Sequence, residues 1–382
     1  MKASDLDNFF MEKALSLAEE SRFIAPPNPW VGCVIAEGSS ILATGSTQQP
    51  GHEHAEMIAL RNARNYPLEQ ATLYVTLEPC CHQGKTGPCT NAIIRSGIRT
   101  VVIGIQDPDI QVHGRGIQML KDAGITVRTS VLKEKIQKQL QPYLFHRTYH
   151  TPYTIIKIAQ TVDGNIAASD GSSQWITGKK ARQDVHSLRN QCQAILVGTN
   201  TAILDNPALT VRHTPLQGPP PLRVVIDLNQ TIPFEHTLFQ TARHTPTLCI
   251  VSNTSYASKL AQCNVETLIW KNSGSIPCSW IQQELANRGV LQLLIEGGGR
   301  TISHFMQEDA WNELIVYIGP KLLGASTKRP CQWVCSSINE ATELSLLDSQ
   351  RFDNTIKLRY LSAKKTMPQK SSFRYFQANV ED

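Results

Sequence analysis

The chain has 382 residues, of which 41% are apolar and 18% charged, and its formal net charge is +5. This length exceeds one ordinary core and predicts two domains, while the composition excludes a disordered or fibrous protein. No apolar run approaches the ~18 residues of a membrane span, and no basic-then-apolar leader opens the chain. We therefore expect a cytoplasmic protein without a membrane partner. In such a protein the ten cysteines favour free or metal-bound thiols over disulfides.

The first half of the chain alternates between helical and extended patterns. We predict strands at 31–35, 41–45, 72–77, 100–105 and 126–131. We predict helices at 7–21, 54–65, 116–123 and 133–149, and a further helix that begins at Cys89. This alternation indicates an α/β sandwich around a mostly parallel sheet.

A domain boundary is predicted at Thr151-Pro152, after which the pattern restarts. The second half has predicted strands at 155–159, 194–198, 223–227, 248–251 and 292–295, and a helix at 301–306. These elements indicate a second α/β domain. Residues 364–382 are expected to form a poorly anchored tail.

Three short motifs in the first half contain the ligands of a hydrolytic zinc site. They are His54-Ala55-Glu56, Glu78-Pro79-Cys80 and Pro88-Cys89. One imidazole and two thiolates hold Zn²⁺ at three corners of a tetrahedron, and the open corner takes a water whose pKa falls from ~15.7 toward ~7. Glu56 is placed to carry a proton from that water to a leaving amine. The set predicts deamination of an amino-substituted aromatic N-heterocycle.

Each half of this zinc motif is weak alone. His-x-Glu within a regular helix directs the two side chains to largely opposite sides, so the motif requires a helix that begins at the histidine. The general zinc-deaminase signature is Pro-Cys-x-x-Cys, whereas eight residues separate Cys80 from Cys89. Cys81 and His82 are therefore rival ligands. We rank both below Cys89, because adjacent residues on an extended turn point away from each other.

A second chemistry is indicated by residues 296–300, Glu-Gly-Gly-Gly-Arg, which follow a predicted strand. Consecutive glycines let a backbone approach a phosphate, and the N–H groups of a helix start attract its charge. A Gly-rich turn without a ligand is an equal alternative. Trp175 is of a type that packs on a cofactor ring, although a lone Trp is more often part of the core. Arg212 is of a type that binds phosphate bidentately. The residues alone indicate a nucleotide or sugar-phosphate site.

Ordered motifs in both halves resemble one enzyme family. In the first half they lie at 28–35, 54–56, 77–80, 86–89, 106–108 and 114–116. In the second half they lie at 163–164, 173–177, 205–212, 225–227, 296–298 and 319–324. Together they resemble the RibD family of bifunctional riboflavin-biosynthesis enzymes, in order, from about residue 8 to residue 361. The spacing of the two zinc-site cysteines is that family's own.

The resemblance implies a fold and two reactions. The fold is an N-terminal cytidine-deaminase-like three-layer α/β/α domain at 1–150 and a C-terminal dihydrofolate-reductase-like α/β domain at 151–363. The reactions are zinc-dependent deamination of 2,5-diamino-6-(5-phosphoribosylamino)pyrimidin-4(3H)-one and NADPH reduction of its ribosyl group, which gives 5-amino-6-(5-phosphoribitylamino)uracil. The implied cofactors are one Zn²⁺ per chain and NADPH. The implied partners are phosphorylated pyrimidines and a second copy of the chain, in a homodimer through the reductase half.

The same resemblance assigns roles to individual residues. The zinc ligands are His54, Cys80 and Cys89, and Glu56 is the proton shuttle. The substrate-binding residues of the reductase half are Ser173, Arg189, Leu209, Arg212 and Glu296, with the two arginines as partners of the phosphate. The NADPH-binding residues are Ala159, Trp175, Thr201, Asp205, Gly298, Gly299, Arg300, Thr301, Ile302, Ser303 and His304. Their task is orientation, because the hydride belongs to the nicotinamide.

Four positions depart from the family pattern and motivate a rival hypothesis. Thr47 replaces a usual His, Gly87 the first of a Pro pair, Asn206 a common second Asp, and Cys81 a frequent Ser. The rival is a reductase whose zinc site is structural. A second rival, an RNA base deaminase, is motivated by the positive net charge. The sequence has no basic aromatic stripe, and the basic run at 133–138 fits a solvated helix face, so we expect no nucleic-acid partner.

Overall fold

A computed structural model describes residues 3–83, 87–325 and 328–362. These residues form two compact units. The first unit extends to Tyr153 and includes residues 216–219 and 281–291, and the other described residues form the second. The units are thus not continuous in sequence. The expected tail at 364–382 lies outside the described residues.

The first unit contains, within the described residues, a five-stranded sheet flanked by helices. Its strands are β1 (Gly32–Glu37), β2 (Ser40–Ser46), β3 (Thr72–Leu77), β4 (Thr100–Ile105) and β5 (Thr126–Thr129), in the order β2-β1-β3-β4-β5. Its helices are α1 (Ala3–Ser21), α2 (Ala55–Asn62), α3 (Cys89–Arg95), α4 (Arg115–Asp122), α5 (Lys133–Gln139) and α6 (Gln141–Tyr149).

This sheet is mixed, whereas the sequence predicted a mostly parallel one. β3, β4 and β5 are parallel, but β1 is antiparallel to both β2 and β3. The two residues between Glu37 and Ser40 are too few for a crossover and close a hairpin instead. Helix α1 packs against β1 at Gly32, where a Cβ atom would lie 1.8 Å from the carbonyl oxygen of Ala14. That contact requires glycine.

The predicted helix at 133–149 is two helices. Helix α5 ends before Leu140, and α6 begins after it, with Pro142 in its first turn. Proline has no N–H to donate to the carbonyl four residues earlier, so it ends one helix and suits the first turn of the next. The boundary therefore follows from one residue within an otherwise helical pattern.

Asp107 is a buried carboxyl group whose protonation is linked to folding of the first unit. Its side chain accepts hydrogen bonds from the hydroxyl of Tyr143 at 3.1 Å and from the backbone N–H of Asp109 at 2.9 Å. Burial raises the pKa of Asp107 from 3.8 to about 6. The folded state thus holds this proton more tightly than the unfolded state does. Its contribution to stability is present below pH 4 and is lost as the pH rises through 6.

We expect Asp107→Asn to remove this pH dependence, because asparagine keeps an acceptor for Tyr143 but carries no charge. In wild type, the contribution of Asp107 should fall by about 2 kcal/mol between pH 4 and pH 7. Urea unfolding across that range, compared between wild type and variant, measures the difference. The exposed Asp122→Asn variant is the control. Equal pH profiles for wild type and Asp107→Asn would contradict the assignment.

The second unit contains, within the described part of the chain, a nine-stranded sheet. Its strands are β6 (Tyr153–Thr161), β7 (Ala194–Gly198), β8 (Leu222–Ile226), β9 (Thr247–Val251), β10 (Glu266–Ile269), β11 (Gln292–Ile295), β12 (Glu313–Gly319), β13 (Leu344–Phe352) and β14 (Thr355–Ser362). Their order is β10-β9-β8-β7-β11-β6-β12-β14-β13. Its helices are α7 (Lys179–Gln191), α8 (Thr199–Asp205), α9 (Thr237–Gln240), α10 (Thr254–Gln262) and α12 (Gly299–Gln307), with a 3₁₀ turn at Ile338–Glu340. Helix α11 (Cys278–Asn287) begins in the second unit, and its residues from Ile281 onward belong to the first.

Parallel pairing brings two loops of the second unit to one edge of its sheet. β7 pairs in parallel with both β8 and β11, and β12 pairs in parallel with β6. β7 is followed directly by α8, and β11 by Glu296, two glycines and α12. Carboxyl ends of parallel neighbours share an edge, where open α/β sheets bind their ligands. The predicted strands at 194–198 and 292–295 are confirmed residue for residue.

Among the described residues, no helix combines the length and the apolar character that crossing a bilayer requires.

Candidate active sites

The three predicted zinc ligands converge at one end of the first unit. His54 is the extended N-cap of α2, with φ −77° and ψ 163°. Cys80 follows β3, and Cys89 is the first residue of α3. The helix therefore begins directly after the histidine, as the His-x-Glu motif requires. Two connections of the chain deliver the three side chains: the β2–α2 connection carries His54, and the β3–α3 connection carries Cys80 and ends at Cys89.

The spacing of these side chains fits a tetrahedral zinc ion. Nδ1 of His54 lies 3.5 Å from Sγ of Cys80 and 3.4 Å from Sγ of Cys89. Tetrahedral bonds of 2.3 Å to sulfur and 2.0–2.1 Å to nitrogen separate those atoms by about 3.5 Å. The ligand atoms of all three residues lie within 4.8 Å of one another. The donor set of one nitrogen and two sulfurs is the one that Zn²⁺ prefers.

Glu56 lies beside this cluster in the first turn of α2. It is 4% exposed, and burial, reinforced by the charge of Cys80, raises the pKa of its carboxyl to about 7. Cys80 accepts hydrogen bonds from the thiol and the backbone N–H of Cys89, which hold its pKa below the usual value. One thiol is therefore ready to be a thiolate, and a buried carboxyl group is ready to exchange a proton near neutral pH.

The rival ligands lie outside the cluster. Sγ of Cys81 donates a weak hydrogen bond to the carbonyl oxygen of Gln111 at 3.6 Å, and His82 is exposed. The alternation of side-chain direction along the extended segment that starts at Cys80 accounts for the direction of Cys81, whereas the chain bends at His82.

Glu78 supports the ligand-bearing segment, a role that the sequence analysis missed. Its carboxylate accepts three backbone hydrogen bonds, from Asp107 at 3.2 Å, Gly114 at 2.9 Å and Ile117 at 3.1 Å. These bonds tie the turn that carries Cys80 to the start of α4. The sequence did offer a signal for this role: a glutamate two residues before a ligand, at the end of a buried strand.

The second unit has a cleft of about 1650 Å³ at the carboxyl ends of its parallel strands. The predicted substrate-binding residues all line it, namely Ser173, Arg189, Leu209, Arg212 and Glu296. The predicted cofactor-binding residues that line it are Ala159, Trp175, Thr201, Asp205, Gly298, Gly299, Arg300, Thr301 and Ile302. Residues far apart in sequence therefore share one cavity.

Two predicted cofactor-binding residues, Ser303 and His304, do not line this cleft. Oγ of Ser303 accepts the backbone N–H of Gln332 at 2.8 Å. Nε2 of His304 lies 2.8 Å from the carbonyl oxygen of Ile276. Successive helical residues turn by about 100°, so these side chains leave the face of α12 that borders the cleft.

His304 also belongs to a second group of metal-ligand type, with Cys278 and Glu308, whose ligand atoms lie within 4.8 Å of one another. The ring N–H of His304 donates to Ile276, and the carboxylate of Glu308 accepts the backbone N–H of Cys278 at 2.7 Å. These hydrogen bonds close the start of α11 against α12. Hydrogen bonding within the fold therefore explains why these three side chains lie close together.

The cleft fits a dinucleotide phosphate at the start of α12. The backbone N–H of Gly298 donates to Oγ1 of Thr201 at 2.7 Å. A Cβ atom on Gly299 would lie 2.5 Å from the carbonyl oxygen of Arg329, so glycine is required for this close approach. The helix that follows has nine residues, and its first N–H groups attract negative charge.

A buried ion cluster centres on Glu296. Its carboxylate accepts two hydrogen bonds from Arg189, at 2.6 and 2.9 Å, and lies 3.2 Å from the ammonium of Lys157. Burial would raise the pKa of Glu296, but the two cations outweigh it and hold the pKa far below its usual value. Arg189 also donates to the carbonyl oxygen of Thr210 at 3.0 Å. Its guanidinium is thus engaged by the fold.

The segment 205–213, which carries predicted substrate contacts, is strained and clamped. Asn206, Leu209 and His213 have positive φ angles of 39°, 47° and 63°, which cost energy for residues other than glycine. Side chains from outside hold the segment: Arg189 through Thr210 O, the buried Arg223 through Ala208 O at 3.2 Å, and His186 through the N–H of Arg212 at 3.0 Å. The loop is therefore preorganised.

Lys157 and His186 line the cleft but were not singled out from the sequence. Lys157 lies two residues before Ala159 on β6, so their side chains share a sheet face. His186 lies three residues before Arg189 on α7, so they share a helix face. The available signal for both residues was the strand or helix periodicity, counted from the site residues that the family resemblance assigns.

Two protein families match the chain. The cytidine and deoxycytidylate deaminase zinc-binding region matches residues 4–105, and the RibD C-terminal domain matches residues 152–358. The second match alone covers more than half of the chain.

The chain belongs to the RibD family. It is 39% identical over 362 residues to the riboflavin biosynthesis protein RibD of Chlamydia pneumoniae, covering 93% of this chain and 95% of the relative. It is 36% identical over 337 residues to RibD of Escherichia coli, covering 85% and 90%. Members of the RibD family join a zinc-binding deaminase domain to a reductase domain in riboflavin biosynthesis, and this chain has both.

Solved RibD structures share the fold. Acinetobacter baumannii RibD has a TM-score of 0.86 at 31% identity, covering 94% of this chain and 99% of the other. A Thermotoga maritima protein described as a diaminohydroxyphosphoribosylaminopyrimidine deaminase/5-amino-6-(5-phosphoribosylamino)uracil reductase has a TM-score of 0.83 at 30% identity, with the same coverage. The predicted fold class is confirmed. The RNA base deaminase hypothesis gives the second unit no role and is set aside.

Proposed function

We propose that this RibD family member deaminates 2,5-diamino-6-(5-phosphoribosylamino)pyrimidin-4(3H)-one and then reduces the product's ribosyl group with NADPH. The deaminase is assigned to residues 1–150 and the reductase to residues 151–363. The observation that carries the proposal is the tetrahedral spacing of His54, Cys80 and Cys89 beside the buried Glu56. A cleft lined by Arg189, Arg212 and Glu296 in the same chain supports the second step.

In the deaminase step, His54, Cys80 and Cys89 would hold one zinc ion, which would supply a water that is nucleophilic at neutral pH. Glu56 accepts a proton from the attacking water and gives one to the leaving amine, so that ammonia departs and the ring carbon gains a carbonyl oxygen.

In the reductase step, NADPH supplies the hydride, and the protein orients cofactor and substrate. The start of α12 and Thr201 would hold the cofactor's phosphates, and Trp175 would contact its rings. Arg212 binds the phosphate of the substrate, since the guanidinium of Arg189 is held by Glu296. The ammonium of Lys157 faces the cleft and can donate to the oxygen or nitrogen that gains a proton.

A parallel assay tests the two steps together. Ammonia release and NADPH oxidation are followed on the diaminopyrimidine ribotide, with bound zinc measured on the same sample. We expect ammonia first and NADPH consumption after it, with chelation of zinc stopping the first and sparing reduction of pre-deaminated substrate. Full zinc occupancy without ammonia release would instead support a structural zinc site.

We propose that the chain forms a homodimer through β13. Among the described strands, β13 lies at the edge of the sheet, and its leucines Leu346 and Leu347 are 59% and 42% exposed. An apolar edge strand invites pairing with another chain, and a two-fold axis would pair it with its own copy.

Leu346→Asp is expected to shift this dimer toward monomer. A symmetric interface loses two leucines, each worth about 1.5–3 kcal/mol when buried, so the dimer dissociation constant should rise ~100-fold or more. Sedimentation velocity over a concentration series measures it. Ile110→Asp, at a side chain 81% exposed in the first unit, is the control. Identical sedimentation of wild type and Leu346→Asp would exclude β13 as the contact.

A further inference from the structure

His186 lies on the face of α7 that borders the reductase cleft, three residues before Arg189. Its Nδ1 accepts the backbone N–H of Arg212 at 3.0 Å. Its ring meets that of His213 edge-on, with centroids 5.0 Å apart. The side chain is thus fixed in place from two sides, and it fixes in turn the residue whose side chain is directed to the anionic substrate.

The hydrogen bond to Nδ1 determines which ring nitrogen carries the proton. Because Nδ1 accepts, the neutral ring must hold its proton on Nε2. Burial, together with the charges of Arg189 and Arg212, lowers the pKa of His186 to about 4. The ring is therefore neutral at physiological pH. It offers one donor and no charge.

That donor has no partner within the described residues. His186 is 7% exposed, and each of its ring nitrogens either has a hydrogen-bond partner or is accessible to solvent. Nε2 therefore opens toward the cleft that the residue lines. A fixed N–H facing a cavity, with no protein acceptor, is placed for a ligand acceptor.

The neighbouring charges favour an anion at this point of the cleft. The guanidinium of Arg189 is occupied by Glu296 and Thr210, as described above. The guanidinium of Arg212 makes no hydrogen bond or ion pair with the described residues and is exposed. A phosphoryl group bound by Arg212 would carry several acceptor oxygens, and its binding site would include His186.

We propose that His186 is a substrate-binding residue of the reductase, which donates from Nε2–H to the substrate's phosphoryl group while its Nδ1 holds the backbone of Arg212. The inference rests on the proposed function and deepens it. It names the part of the substrate that this residue recognises.

Two substitutions of His186 distinguish the roles of its two ring nitrogens. In His186→Asn, the amide oxygen can occupy the place of Nδ1 and hold Arg212, but no donor reaches the place of Nε2. In His186→Gln, the amide nitrogen can occupy the place of Nε2, but the acceptor for Arg212 is lost. Both remove the ring, so damage to packing is common to the two.

Steady-state reduction is measured with 5-amino-6-(5-phosphoribosylamino)uracil and with its dephosphorylated counterpart. We expect His186→Asn to raise KM for the phosphorylated substrate about 10- to 100-fold, with kcat and the KM for NADPH within about two-fold of wild type. His186→Gln should raise that KM less. With the dephosphorylated substrate, His186→Asn and wild type should have the same KM, because the contact no longer exists.

The surface variant His244→Asn is the control for the substitution itself and should behave as wild type. An unchanged KM in His186→Asn, or an equal rise for both substrates, would overturn the assignment of Nε2 to the phosphoryl group. If wild type itself fails to oxidise NADPH with the phosphorylated substrate, the proposed reductase function fails instead. The two failures are thereby distinguished.

Discussion

Replacing Glu56 with Gln is expected to abolish ammonia release while leaving the reduction of pre-deaminated substrate at the wild-type rate. Glutamine has the shape of the buried side chain but cannot carry a proton between the attacking water and the leaving amine. General acid–base groups contribute about 10²–10⁴-fold, so the deaminase kcat should fall by that factor. Ammonia release and NADPH oxidation, measured separately on the two substrates, check this.

Zinc content is part of this experiment. Glu56→Gln should keep one zinc per chain, because the ligands His54, Cys80 and Cys89 are untouched. Glu53→Gln, three residues away at an ion pair with Arg61, is the matched control and should keep both activities. If Glu56→Gln stops ammonia release and reduction together, the two reactions do not have separate sites.

Replacing Glu296 with Gln is expected to destroy the reductase activity and to spare deamination. The carboxylate is the shared partner of Arg189 and Lys157, whose side chains are 11% and 15% exposed. Without it, two largely buried cations face each other unpaired, which costs about 3–5 kcal/mol. The cleft loses its geometry as well, so kcat/KM for reduction should fall by ~100-fold or more. Thermal unfolding and NADPH oxidation measure the two effects.

A second bidentate ion pair in the same unit provides the control for stability. Glu313 accepts two hydrogen bonds from Arg359, at 2.6 and 3.1 Å, its side chain is 3% exposed, and it does not line the cleft. Glu313→Gln should therefore lower the unfolding temperature but retain reduction when assayed well below it. If both variants lose reduction equally under those conditions, Glu296 acts on stability alone.

The sequence by itself determined the chemistry of the first unit. His54, Glu56, Cys80 and Cys89 are recognisable because ligand type and local chain direction are properties of short segments. A helix start places His54, and an extended turn excludes Cys81. Strands such as 72–77 and 100–105 were likewise predicted with their observed bounds, since long apolar runs of β-branched residues leave little local choice.

Tertiary structure alone decided which of the side chains that line the reductase cleft are already held by other residues of the fold. The assignment of Arg189 to a phosphate stays a prediction, but no local pattern showed that a carboxylate 107 positions away in the chain also binds its guanidinium. His304 was assigned to a cofactor, but its side chain turns to Ile276 instead. Lys157 and His186 line the cleft, although neither was predicted as a site residue. Neighbouring strands of a parallel sheet are separated in sequence by a complete crossover connection. Which charged side chains pair across such a sheet therefore depends on tertiary packing, which no local sequence pattern encodes.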